Sequence, residues 1–235
     1  MKKIVLYFIE LIFIIGIIFS LYKIVNWYND NKTNDQIVDK ISKTIKIDKK
    51  TTKVDFEKLK KINSDVIGYI KVYDTNIEYP VVKHTDNNFY LNHNFEKKSN
   101  VAGWIFLNYQ NNLNDKNVVL FGHNMKNGSM FGSLKNTLKK DWQNKTDYHI
   151  IKFITEEKEY TYKIFSTYQI EVEDYYIKTS FSNDDYSKFI NTIKKRSNYE
   201  YNVDVNENDN ILTLSTCSGN KYRVVVHAKK EKEEE

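Results

Sequence analysis

The stretch ILTLSTCSGNKYR, residues 211–223, contains the only cysteine of the chain, Cys217, and an arginine shortly after it, Arg223. An apolar, β-branched run ends at the cysteine, and a second such run begins at the arginine. Two strands joined by residues 218–222 form a hairpin of ordinary loop length, with glycine and asparagine as turn formers. The sequence therefore predicts that a thiol and a guanidinium group lie at the same end of a hairpin.

A histidine, His123, directly follows a third strand-like run, NVVLFG, residues 117–122. Cysteine, histidine and arginine at strand ends are the residue types of a thiolate nucleophile, a proton shuttle and an oxyanion clamp. Strand alternation places Ser215 on the same face as Cys217. The other histidines, His84, His93, His149 and His227, have no such motif, and His227 lies about 13 Å along its strand from Arg223. We therefore choose His123 as the candidate acid and base.

The composition limits the class of protein. With 235 residues and 40% hydrophobic residues, the chain can form one large domain or two small ones with a sizeable core. The net charge of +5 is spread among intermingled acids and bases, so we expect no nucleic-acid partner. One cysteine excludes an intramolecular disulfide, and no two histidines have the spacing of a helical metal site. We expect neither a metal nor a cofactor.

The N-terminus predicts a membrane anchor. Residues 4–25 are almost wholly apolar and, as a helix, span about 33 Å, enough for a bilayer core of about 30 Å. No small-residue cleavage site follows, so we expect an uncleaved signal anchor with residues 1–3 in the cytoplasm and the remainder outside the cell. Residues 26–50 are predicted to be a polar stalk containing a marginal helix. Residues 51–229 form the predicted catalytic domain, and residues 230–235 a charged, frayed tail.

The motifs have a family counterpart. The block TLSTC, residues 213–217, followed by Arg223, resembles the catalytic signature of sortases, the membrane-anchored cysteine transpeptidases of Gram-positive bacteria. The segments FGHNM, residues 121–125, and GSMFGSL, residues 128–134, resemble the histidine block of class B sortases. The resemblance covers roughly residues 51–229.

The resemblance implies a mainly β fold, a closed and mainly antiparallel sortase-type β-barrel with N-terminal helices and a further helix in the long connection before the cysteine strand. Periodicity predicts that further helix from an N-cap at Ser182 or Asn183 to about Arg196. The other predicted elements are a helix at 55–63, strands at 66–73, 78–83, 102–108, 117–122, 148–155, 159–171, 211–217 and 223–229, and a helix or helical loop at 130–142.

The resemblance also implies a reaction. Cys217 attacks the carbonyl of a threonine in the sorting signal of an exported surface protein, Arg223 stabilises the oxyanion, and His123 protonates the departing amine. The thioacyl intermediate is then transferred to an amine of a peptidoglycan precursor. Ser215 is a candidate substrate contact, the backbone N–H of Ser218 is a candidate oxyanion donor, and residues 168–181 lead into the wall of the substrate groove.

Three alternatives remain open on the sequence. An L,D-transpeptidase typically has its arginine two residues after the cysteine, and a papain-like peptidoglycan hydrolase has its cysteine at a helix N-terminus and ahead of the histidine. In this chain the arginine comes six residues after the cysteine, and the histidine comes first. The third alternative is a membrane-tethered binding factor with a structural thiol.

Overall fold

A computed structural model describes residues 2–43, 45–47, 52–217 and 221–234 of the chain. Within these residues the α-helices are α1 (Lys2–Ser42), α2 (Phe56–Ile62), α3 (Lys140–Gln143) and α4 (Asn183–Lys195). The strands are β1 (Ile45–Ile47), β2 (Thr52–Val54), β3 (Val66–Val72), β4 (Glu78–Lys83), β5 (Phe106–Leu107), β6 (Asn117–His123), β7 (Ile150–Ile154), β8 (Glu159–Glu171), β9 (Ile211–Cys217) and β10 (Tyr222–Glu234). Short 3-10 helices occur at Phe89–Leu91, Leu134–Leu138, Thr146–Tyr148 and Tyr175–Ile177.

The strands β3 to β10 form a closed barrel in the order β10–β8–β7–β3–β4–β5–β6–β9. Most neighbouring strands are antiparallel, while β4 pairs with β5 and β6 with β9 in parallel. The prediction of a closed, mainly antiparallel barrel is confirmed. The parallel pair β6–β9 brings together the strands that end in the candidate histidine and cysteine.

The strand β9 is buried on both faces. Leu212 and Leu214 belong to the main hydrophobic core inside the barrel. Ile211, Thr213 and Ser215 alternate with them and are also buried, at 0 to 1% exposure. A strand whose outward residues are this inaccessible must be covered from outside the barrel.

Helix α4 provides part of that cover, as predicted for the long connection. Its buried residues recur three or four positions apart, the spacing of one helical face. They pack with Phe165 and Ile211 in a second cluster and are Tyr186, Phe189, Ile190 and Ile193. Burying each large apolar side chain contributes roughly 1.5–3 kcal/mol, so this face holds α4 firmly against the barrel.

The strand predicted at 102–108 shortens to Phe106–Leu107. Gly103 adopts a φ of +55°, a conformation that strands do not use. The backbone N–H of Trp104 then donates to the carbonyl of Tyr90 at 2.8 Å and draws this segment toward the Phe89–Leu91 turn.

The helical region predicted at 130–142 divides into two short helices, at Leu134–Leu138 and Lys140–Gln143. Met130 has a φ of +51°, so a helix cannot begin there. Lys139 is extended, with ψ of 137°, and separates the two helices.

The predicted stalk is largely helical, because α1 continues without interruption to Ser42. Residues 4–25 are exposed, whereas Ile37 and Ile41 are buried in the main core. The helix also bonds to loops of the barrel: Asn34 Nδ2 to Asn100 Oδ1 at 3.1 Å, and Asn127 Nδ2 to Asn31 Oδ1 at 3.0 Å. The division of the chain into anchor, stalk and catalytic domain stays a prediction.

The C-terminal residues form a strand where a frayed tail was expected. Strand β10 pairs with β8 as far as Glu234, which lies opposite Glu159. Lys158 Nζ lies 2.6 Å from a Glu233 carboxylate oxygen across the same pair. Neighbouring opposite charges thus let a highly charged segment close the barrel.

Candidate active site

The backbone register sets the three candidate catalytic residues in one row. In the parallel pair β6–β9, His123 lies directly opposite Cys217. In the antiparallel pair β9–β10, Val225 lies opposite Ser215, so the same register continued by two residues sets Arg223 opposite Cys217. Neighbouring strands lie about 4.8 Å apart, and residues in one row share a face of the sheet. Three strands therefore present the candidates side by side.

The side chain of Cys217 and the whole of residues 218–220 lie outside the described part of the chain. The candidate oxyanion donor at Ser218 therefore stays a prediction from the sequence. Nearby, Val224 N donates to Thr216 Oγ1 at 2.9 Å and ties the beginning of β10 to the end of β9. This bond fixes the two strand ends on either side of the thiol loop.

The His123 ring is held by a backbone carbonyl. Its Nε2 atom lies 2.7 Å from the carbonyl oxygen of Leu91, at the end of the Phe89–Leu91 turn. A carbonyl only accepts, so Nε2 carries the proton, and in the neutral imidazole the lone pair is on Nδ1. Gly103 closes over the same ring, because a Cβ atom there would lie 3.0 Å from His123 Cδ2.

Arg223 is half-buried at the beginning of β10. Its Nη1 atom donates to the carbonyl oxygen of Tyr222 at 3.2 Å. Only two of the 36 cationic residues of the chain are arginines, Arg196 and Arg223. A guanidinium group remains charged throughout the physiological pH range and presents its donors in a rigid fork, as stabilisation of an oxyanion requires.

Ser215 precedes the row on β9 and is almost fully buried. Its Oγ atom lies 3.1 Å from the hydroxyl of Tyr176, in the 3-10 turn Tyr175–Ile177. This turn covers the outer faces of β9 and β10, since Tyr176 also packs with Val225 of β10 in a small cluster. The structure therefore links the strand of the candidate nucleophile to the segment predicted to lead into the groove wall.

A cleft of about 670 Å³ lies beside that turn. One wall is formed by residues 174, 175 and 177–180, and the other contains Asn87, Asn108 and Gln110. Asn87 is fixed by a bond from its Nδ2 to Asn108 Oδ1 at 3.1 Å and belongs to the loop that leads to Leu91. A second cleft, of about 710 Å³, lies between the end of α4 and residues 197–204, away from the described candidates.

Three residues beside the candidate site were not identified from the sequence: Leu91 and Gly103, which contact the His123 ring, and Asn87, which lines the cleft. Leu91 acts through its backbone carbonyl, which no side-chain pattern reveals. Gly103 precedes a tryptophan in an otherwise strand-like run, and an isolated glycine in such a run is a known signal of close backbone approach. That glycine was the one sequence feature that pointed to this part of the site.

The other four histidines lie outside the row. His84 and His93 both stack on Phe89, with ring centroids 4.3 and 4.1 Å apart from it. Burial lowers the pKa of His149 below its usual value. Burial also lowers the pKa of His227, to about 3, so this ring is neutral at physiological pH.

Comparison with known proteins identifies the family. Residues 70–231 match the model of the sortase domain. The chain is 36% identical over 213 residues to sortase B of Listeria monocytogenes, an alignment that covers 87% of this chain and 86% of the relative. Sortase B of Bacillus anthracis in complex with AAEK1 superposes with a TM-score of 0.77 at 32% identity, covering 89% of this chain and 99% of that one. A sortase B complexed with triglycine superposes with a TM-score of 0.71 at 36% identity, covering 75% and 85%.

A closed barrel with a cysteine, a histidine and an arginine at neighbouring strand ends defines a cysteine transpeptidase of the sortase type. The chain belongs to the sortase family, and its relatives assign it to class B, whose members cleave sorting signals. This assignment decides against the L,D-transpeptidase, the papain-like hydrolase and the non-enzymatic binding factor.

We predict that Gly103→Ala lowers the rate of sorting-signal cleavage at least about ten-fold, or roughly 1.4 kcal/mol in the activation barrier. A Cβ atom at this position would lie 2.4 Å from the carbonyl oxygen of Tyr90 and would displace the turn that holds His123. Gly128→Ala is the matched control, because Gly128 also has a positive φ, of +84°, but its Cβ atom would meet nothing closer than 3.5 Å. Steady-state cleavage of a fluorogenic peptide measures both. Equal losses in the two variants would contradict the steric explanation.

We further predict that acidification destabilises the protein through His227. The pKa of His227 is lowered from 6.5 to about 3 in the folded state. Below pH 6.5 the unfolded chain therefore binds a proton at this ring, whereas the folded protein does not. Between about pH 7 and pH 5 this costs about 2 kcal/mol of the free energy of unfolding. Urea unfolding at both pH values, compared with His227→Gln, isolates this contribution. The loss on acidification should be about 2 kcal/mol smaller in the variant, and an identical loss would refute the assignment.

Proposed function

We propose that this class B sortase cleaves its sorting signal after a threonine, forms a thioacyl intermediate on Cys217 and transfers the surface protein to an amine of peptidoglycan. The observation that supports this most strongly is the register that pairs positions 123 and 217 and, if continued by two residues along β10, brings position 223 beside them. Alternation along β9 puts position 217 on the same outward face as Thr213 and Ser215. Strands β6 and β9 both end at these positions, at His123 and Cys217.

In the proposed first step, the thiolate of Cys217 attacks the threonine carbonyl carbon. The carbonyl oxygen becomes an oxyanion and accepts hydrogen bonds from the guanidinium of Arg223. The carbon–nitrogen bond then breaks, and the imidazolium of His123 gives a proton to the departing amine. Since the Leu91 carbonyl engages Nε2, the proton is transferred from Nδ1.

In the second step, an acceptor amine attacks the thioester and loses a proton to the neutral His123 ring. The thiolate leaves, and a new amide bond joins the two partners. A thioester suits this transfer because it reacts more readily with amines than with water. The sortase B solved with triglycine supports an amine acceptor, since triglycine carries a free amino terminus.

The serine roles remain part of the proposal. Ser215 lies two residues before Cys217, and its hydroxyl contacts Tyr176, whose sequence neighbours Tyr175 and Ile177 line the 670 Å³ cleft. We infer that Ser215 contacts the substrate between the cleft wall and the candidate nucleophile, Cys217. Ser218 follows Cys217 directly, and its backbone N–H is the proposed second oxyanion donor.

We propose that α1 anchors the enzyme in the membrane by a single pass, with residues 1–3 in the cytoplasm and the barrel outside. Support comes from the mean hydropathy of 2.8 over its most apolar window, in a helix long enough to cross a bilayer. The paired lysines at the N-terminus favour this orientation.

The proposed membrane anchor predicts in which cell fraction the protein is found. In a Gram-positive host, the full chain should sediment with membranes, and a variant lacking residues 2–26 should appear in the soluble cytoplasmic fraction. Protease added to intact protoplasts should degrade the barrel of the full chain but not a cytoplasmic marker protein. A full chain found in the soluble fraction, or protected from the protease, would count against the proposal.

The catalytic roles are tested with the full chain in detergent micelles, a panel of sorting-signal peptides and triglycine. We expect Cys217→Ala to abolish both the product and the thioacyl adduct seen by mass spectrometry. Arg223→Lys should lower kcat by roughly 10²–10³, the effect of losing an oxyanion donor. Lys221→Gln, which removes a neighbouring cation paired with Glu171, is the control and should change kcat less than about three-fold. Transfer to triglycine by Cys217→Ala would reject the assignment.

A further inference from the structure

A buried asparagine outside the catalytic row holds the wall of the cleft. Asn117, the first residue of β6, is fully buried. Its Nδ2 atom donates to the carbonyl oxygens of Tyr176 at 3.2 Å and of Lys178 at 2.8 Å, and its Oδ1 atom accepts from Thr213 Oγ1 at 2.6 Å. Two carbonyls require a donor, so the orientation of the amide is determined. The Asn117 side chain thus connects Thr213 of β9 to the backbone of the segment that lines the cleft.

The direction of the remaining bonds follows from Thr213. Its hydroxyl has a single hydrogen, which goes to Asn117, so its 2.8 Å contact with His227 Nδ1 requires that the ring N–H donates. His227 Nε2 is then an acceptor and receives the hydroxyl hydrogen of Tyr168 at 2.8 Å. This arrangement needs one tautomer of a neutral imidazole, which the full burial of His227 favours.

The other end of the chain of bonds returns to the same segment. The guanidinium of Arg196 lies over the ring of Tyr168, with its central carbon 5.9 Å from the ring centroid. Arg196 also forms an ion pair with Glu173. These contacts therefore lead from Glu173, which directly precedes the cleft wall, through the interior to Lys178, within the wall.

We propose that these five side chains, Arg196, Tyr168, His227, Thr213 and Asn117, form a wall clamp that positions residues 173–178 and thereby sets the affinity for the sorting signal. Asn117 is its principal positioning residue, because it bonds to the backbone of the wall at two points. Between the clamped ends, the Tyr176 hydroxyl bonds to Ser215, so a displaced wall also moves the contact beside the nucleophile. This inference rests on the proposed function for its substrate, although the clamp itself is a property of the fold.

The experiment breaks the clamp at its centre in the full chain in detergent micelles. Thr213→Val removes the hydroxyl and leaves Asn117 Oδ1 and His227 Nδ1 without their shared partner. We expect amide hydrogen exchange of residues 174–180 to accelerate at least about ten-fold and the KM for a sorting-signal peptide to rise at least about five-fold, the range expected when a buried hydrogen bond is lost. The kcat and the rate of Cys217 alkylation by iodoacetamide should stay within about two-fold. Thr213→Ser, which keeps the hydroxyl, should restore both exchange and KM.

Thr167→Val is the matched control. It removes an equally buried hydroxyl, bonded to Tyr201 at 2.7 Å, on β8 and outside the clamp. It should lower thermal stability in a similar way without changing exchange at 174–180 or the KM. Should Thr213→Val fail to fold, Tyr168→Phe, which removes one oxygen atom at the far end, tests the same two quantities in the same direction.

The possible results distinguish a failure of the wall clamp from a failure of the proposed function. Exchange at 174–180 that is unchanged, or a rise in KM that Thr167→Val reproduces, would overturn the clamp. Faster exchange with an unchanged KM would overturn its role in substrate affinity. No turnover of any peptide by the unaltered chain would count against the proposed function instead, and the exchange measurement would still decide whether the clamp holds the wall.

Discussion

The parallel pairing of β6 with β9 is the constraint on which the site depends. His123 and Cys217 are remote in the sequence, and this pair sets their backbones opposite each other. A slip of one residue would send one of the two side chains to the opposite face of the sheet. The alternation of β9 resists such a slip, because the slip would move Leu212 and Leu214 out of the main hydrophobic core. Burial of the inner face of β9 therefore keeps the two strands in this register.

The sequence predicted the elements whose signal is local. Strands β4 and β8 were predicted with their observed bounds, and α4 with its apolar face, because alternation and helical spacing are properties of a few consecutive residues. Positions 123, 217 and 223 could be expected at strand ends, since each ends or begins a recognisable strand, while their catalytic roles stay a proposal. The strand predicted at 102–108 was too long because a tertiary bond from Trp104 to Tyr90 overrides its β propensity.

What the sequence could not reveal is held by contacts between distant segments. Leu91 acts through its carbonyl, and Asn117 looks like an ordinary polar residue before an apolar strand until the wall of the cleft is seen beside it. His227 has no motif in the sequence, and the structure makes it a neutral, fully buried member of a hydrogen-bonded chain. Burial and partner identity decide such roles, and neither can be read from the residue type.

The anchor helix extends the same logic beyond the barrel. Docking begins at Asp30, whose carboxylate accepts from Val101 N at 2.9 Å, only about 8 Å of helix beyond the apolar run that ends at Val25. Asn31 then bonds to Asn127, in the loop that follows His123. In the proposed orientation the loops around the candidate histidine therefore lie on the membrane side of the barrel. A continuous helix transmits orientation as a flexible stalk cannot, so under the proposed anchoring the candidate residues have a defined height and direction relative to the bilayer.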